Sequence, residues 1–112
     1  MEQNILDYFE QKISACNLER KRLWEEERGD EANFEKIKAN VYDIFKTVFL
    51  VARKQYGDDQ LKAREFFLKK LEQIPSGWAA SYEEARQHDD AKVMHIESVK
   101  LEVVQDIRER VR

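Results

Sequence analysis

Glu84, His88 and His95 stand at steps of four and seven, which places them on one face of a helix, with Asp89 and Asp90 beside His88. Imidazole and carboxylate are the usual ligands of divalent transition metals, so Glu84, His88, Asp89 and Asp90 form the candidate metal set. The spacing weakens that set. Two histidines seven residues apart are ~10.5 Å apart along a helix axis, too far to share one ion without ligands from elsewhere. A solvated polar face, or a capped break in the helix, accounts for the same residues more simply.

Other chemistries need patterns that this chain lacks. Helical Mg²⁺ sites use Glu-x-x-Glu pairs on facing helices, and no Glu-x-x-Glu occurs. Glu27-x-x-Asp30 straddles Gly29, while Asp7-x-x-Glu10 and Asp106-x-x-Glu109 stand at opposite ends of the sequence. Bundle di-iron sites require Glu-x-x-His, also absent. The single cysteine, Cys16, falls on an apolar row, where a thiol packs rather than reacts. Three isolated glycines cannot make a phosphate loop. The expectation is a protein that is not an enzyme and carries no cofactor.

Binding is the better prospect. Trp24 and Trp78 are the interface candidates, Trp78 because it follows a Pro75-Ser76-Gly77 turn signal. The densest basic run, Arg20-Lys21-Arg22, precedes Glu25-Glu26-Glu27, so Lys21 would face Glu25 and Arg22 would face Glu26 on a helix. With 20 Lys and Arg against 23 Asp and Glu, net charge −3, and the signs mixed throughout, nucleic acid is not an expected partner. A DNA-binding regulator would need one helix with an unpaired basic face.

The elements that position these residues follow from apolar spacing. Leu6, Phe9, Ile13, Cys16 and Leu23 predict a helix over about residues 3–28, closed by Gly29 with Asp30 as the next N-cap. Phe34, Ile37, Val41, Ile44, Val48 and Val51 predict a central helix over 31–56 with this row in the core, Phe45, Phe49 and Ala52 beside it, and Gly57 as terminator. Asp58-Asp59 caps a third helix that Pro75 should stop, leaving it ~15 residues long. Ser81-x-x-Glu84 opens a fourth, through Val93, Ile96, Val103 and Ile107 to Val111, broken or kinked at 88–90 with Asp89 or Asp90 capping the second piece. Val99 to Val103 alternates like a strand, but one strand would have no partner, so helix is preferred.

The 112 residues, 11% of them aromatic, allow one all-α domain over 1–112, an antiparallel up-down bundle of three long helices and one short. The short helix would leave apolar surface uncovered, to be closed by a homodimer or by a partner's helix. Met1-Glu2-Gln3-Asn4 shows no leader pattern, the longest apolar run is Val48 to Ala52, and the one cysteine suits a reducing compartment. The expected protein is a cytoplasmic, non-catalytic interaction or regulatory module, away from the membrane.

Overall fold

The computed structural model describes residues 3–111. Met1 and Glu2, where the leader expectation begins, and Arg112, which ends the single-domain range, lie outside the described residues. Four helices account for the fold: α1 (Gln3–Glu25), α2 (Gly29–Tyr56), α3 (Gln60–Gln87) and α4 (Ala91–Val111). No strand occurs among the described residues, and Val99–Val103 is helical.

The largest departure from expectation is α3, which runs through Pro75-Ser76-Gly77 without interruption. A proline inside a helix costs about 3 kcal/mol, because it removes one hydrogen bond and crowds the preceding turn. Here Phe67, Leu71, Pro75 and Ala85 are buried and Ile74, Trp78 and Tyr82 partly so, at continuous three-and-four spacing across the proline. Packing that unbroken face outweighs the local penalty. The Ser76 hydroxyl donates back to the Gln73 carbonyl, at 2.6 Å, within the same turn. At 28 residues α3 equals α2 in length, so the short helix, and the length mismatch that pointed to a dimer, are absent.

The 88–90 segment is the turn between α3 and α4 rather than a kink within one helix. Asp89 takes the left-handed conformation (φ 53°), Asp89 N–H reaches Arg86 O, and Asp90 N–H reaches Ala85 O at 2.8 Å. That is a Schellman closure, after which Asp90 turns N-cap and accepts from Val93 N–H at 3.2 Å. The α1–α2 turn repeats the geometry with Glu27 left-handed (φ 60°), Glu27 N–H on Trp24 O and Arg28 N–H on Leu23 O. Gly29 therefore does not terminate α1; it is the first residue of α2, and Asp30 lies inside the first turn. Gly57 and Asp59 behave as expected, Gly57 left-handed at the end of α2 and Asp59 accepting from Lys62 N–H at 3.1 Å.

In α2 the buried row is Val41, Tyr42, Phe45, Phe49 and Ala52, one step round the helix from the expected stripe. Ile44 and Val51 are 39% and 44% exposed. Aromatic rings decide the rotation: Phe49 meets Phe9 of α1 and Phe67 of α3, and Phe45 meets Phe67 and Trp78, with centroids 6.3–6.5 Å apart. Val104 and Ile107 of α4 complete the core. Near the turn Trp24 lies over Gly29, while farther along Glu10 pairs with Lys46, so α1 folds back along α2. None of the described helices is long and apolar enough to cross a membrane.

Candidate interaction surface

The candidate metal set does not converge. Glu84 is on α3, His88 and Asp89 are in the turn, and Asp90 uses Oδ1 to cap α4. His95, on α4, is turned onto the Phe34 ring at 4.2 Å, edge to face. Because the chain breaks at 88–90, the single helix face that would align Glu84, His88 and His95 does not exist. Among the described residues no three His, Cys, Asp or Glu side chains gather as metal ligands would.

The acid–base groups that do gather form a link between helices that sequence spacing could not reveal, since its members are 64 and 98 residues apart. Asp106 Oδ2 on α4 accepts the hydroxyls of Tyr8 on α1 at 2.5 Å and of Tyr42 on α2 at 2.7 Å. The Lys12 ammonium lies 3.6 Å from the same oxygen, and the Arg110 guanidinium sits over the Tyr8 ring. Burial and the Asp106 acceptor push both phenols above their ordinary range. Burial pushes the Asp106 carboxyl up as well, but the two hydroxyls and Lys12 together outweigh it and hold the carboxyl below its usual value. Both phenols stay protonated and the carboxylate stays ionised near neutrality, with their hydrogen bonds directed at one another. The cluster ties α1, α2 and α4 together.

The two tryptophans separate cleanly. Trp78 is partly buried, edge-on to Phe45, with the Lys100 ammonium 5.4 Å over its ring. Lys100 in turn pairs with Glu97, itself only 6% exposed, at 3.1 Å. Trp78 is thus covered from within the fold. Trp24 is 71% exposed. It lies in the last turn of α1 against Gly29, where a β-carbon would come within 3.6 Å of its ring.

Trp24 lines a groove of about 500 Å³ between the outer faces of α1 and α2. Asn17, Arg20, Lys21 and Trp24 form one wall, Gly29, Ala32, Asn33 and Lys36 the other. These are positions a turn apart on each helix, so two facing stripes make the groove. The lining holds three cations and no carboxylate. Arg22 pairs with Glu19 and Glu26, as its spacing suggests. Lys21 does not reach Glu25: among the described residues Arg20, Lys21 and Lys36 have no carboxylate within 4.0 Å. A second groove, of about 340 Å³ beside Phe34 and His95, is different: Arg28 and Lys38 there are paired with Glu31 and Glu35.

The basic run and Trp24 were both visible in the sequence. That they meet Lys36 across a turn was not, because it depends on the register of α1 against α2. No family model, curated protein or solved structure matches this chain.

Proposed function

We propose that this protein is a non-catalytic interaction module that recognises a partner protein through the groove around Trp24. The observation that carries the reading is an indole left mostly in solvent within a groove whose three cations have no carboxylate within 4.0 Å among the described residues. Burying an exposed large apolar group on binding is favourable, and tryptophan and arginine are the residues most enriched among energetic anchors of interfaces. The closure of Tyr8, Tyr42 and Asp106 on one another supports a structural rather than a catalytic use of the best-formed acid–base cluster. A reducing, cytoplasmic setting belongs to this reading, since Cys16 is buried and unpaired.

The test is capture by the tagged 112-residue chain, comparing wild type with Trp24→Ala and with Leu61→Ser, an exposed apolar position on α3. A partner held by wild type and Leu61→Ser but lost by Trp24→Ala is the expected result. Retention that ignores Trp24 overturns it.

A second reading rests on α2. Ile44, Val48 and Val51 share a face, and two of them are about two-fifths exposed, so a homodimer closing over that face is the alternative use of the surface. Light scattering behind a sizing column separates the two. A dimer that Ile44→Lys makes monomeric favours the α2 face, whereas a wild-type monomer over a wide concentration range removes it.

A further inference from the structure

We propose that the occupant of the Trp24 groove is a short acidic protein segment bearing one apolar or aromatic residue. Its carboxylates would meet Arg20, Lys21 and Lys36, and its apolar residue the Trp24 ring. The proposal rests on the groove being the docking surface and adds the chemistry of what docks there.

Charge is the first support. The chain as a whole is acidic, at −3, yet this groove concentrates three cations from two helices with no carboxylate in its lining. Arg22, the neighbour of Lys21, is neutralised by Glu19 and Glu26, so pairing is available nearby, while among the described residues the groove cations take no part in it. Unpaired cations in a partly enclosed groove steer and orient anionic partners, and a guanidinium binds a carboxylate through two parallel hydrogen bonds.

Size is the second. Asn17 to Trp24 and Gly29 to Lys36 each span seven residue steps, about 10 Å. That length receives two turns of a helix, or about three residues of extended chain. An indole at one end and cations along the rest fit a segment with an apolar anchor beside two or three acids.

The surroundings decide the class of anion. Toward its N-terminus α1 presents Asp7, and at the other end Glu25 and Asp30 are exposed. A nucleic-acid strand carries charge along its whole length and would run onto carboxylates at both ends of the groove. A protein segment confines its charge to the two turns that the groove covers.

Fluorescence anisotropy with labelled peptides about three helical turns long tests this on the full chain. The probes are an acidic peptide with a leucine or phenylalanine anchor, the same peptide with serine at the anchor, a lysine version, and a single-stranded oligonucleotide of equal charge. The anchored acidic peptide should bind. Replacing its anchor, or making Trp24→Ala, should weaken binding at least about tenfold. Arg20→Glu with Lys36→Glu should weaken it as much, from exposed positions remote from the turn that leave the melting curve unchanged. Raising ionic strength from about 0.01 to about 0.15 M should weaken it severalfold, as the Debye length falls from about 30 to about 8 Å.

Equal binding of the lysine peptide, tighter binding of the oligonucleotide through the same residues, or failure of the anchored acidic peptide to bind overturns the proposal. If Trp24-dependent capture of a partner persists while acidic peptides fail, the groove remains the docking surface and the acidic occupant is wrong. If capture ignores Trp24, both readings fail.

Discussion

Replacing Asp106 by Asn should destabilise the protein by about 2 kcal/mol at neutral pH, and the loss should vanish in acid. Asn keeps an acceptor oxygen where Asp106 Oδ2 receives Tyr8 and Tyr42, but it loses the charge. A hydrogen bond to a charged group is worth about 1.5–3 kcal/mol against about 0.5–1.5 for a neutral one, so two bonds lose about 2. The Asp106 side chain is 40% exposed, which favours the low side of that range. Asp106→Ala should cost more, about 3 kcal/mol, because it leaves the hydroxyl of buried Tyr42 without its acceptor. The pH dependence carries the sharper information. The Asp106 carboxyl titrates lower in the folded protein than in the unfolded chain, so its contribution is fully present above the unfolded value of about 3.9 and is lost as pH falls through the folded value below it. Urea unfolding followed by circular dichroism, at neutral pH and at steps below about pH 4, measures this. Wild type and Asp106→Asn should converge in acid. A difference under about 0.5 kcal/mol at neutral pH, or one constant with pH, would refute the three-helix link.

Four further outcomes follow from named residues. Glu27→Gly and Asp89→Gly should each stabilise by about 1 kcal/mol, since both residues sit at positive φ where a β-carbon is penalised; thermal melts will show it, and a fall in Tm would deny the left-handed closure. Pro75→Ala should be neutral to stabilising by about 1 kcal/mol, the helical gain exceeding the loss of a small buried ring; a loss beyond about 1 kcal/mol would mean the proline marks a real helix end. Cys16, buried and with its thiol pushed up by that burial, should react with thiol reagents far more slowly in the folded protein than in urea, and equal rates would contradict its packing. In alkaline titration two of the four tyrosines, Tyr8 and Tyr42, should resist ionisation until the protein unfolds, whereas four equivalent phenols would contradict their burial and pairing.

What could be read from the sequence was what depends on local pattern. Apolar spacing gave four helices and no sheet, Gly57 and Asp59 marked one turn, and a cap at Asp89 or Asp90 was recognisable because short polar residues next to a broken stripe have few other uses, the choice of Asp90 resting on the closure of the turn. Pro75 misled because a local breaker was weighed without the tertiary packing of Leu71, Pro75 and Trp78 on one face. The α2 stripe was misplaced by one row for a related reason. Periodicity fits either row, and the choice belongs to Phe9 and Phe67, which are distant in sequence. The same limit applied to function: Trp24 and the basic run were legible as residue types, but Trp24's exposure and the meeting of Arg20 and Lys21 with Lys36 depend on how α1 registers on α2.

The most direct measurement is hydroxyl-radical footprinting of the chain alone and in the assembly it forms with a captured partner. Trp24 and the facing stripes of α1 and α2 should become protected, while Ile44, Val51 and Leu61 react as they do in the free protein. Protection centred on Ile44 and Val51, with Trp24 unchanged, would contradict the groove as the docking surface and move the interface to the outer face of α2.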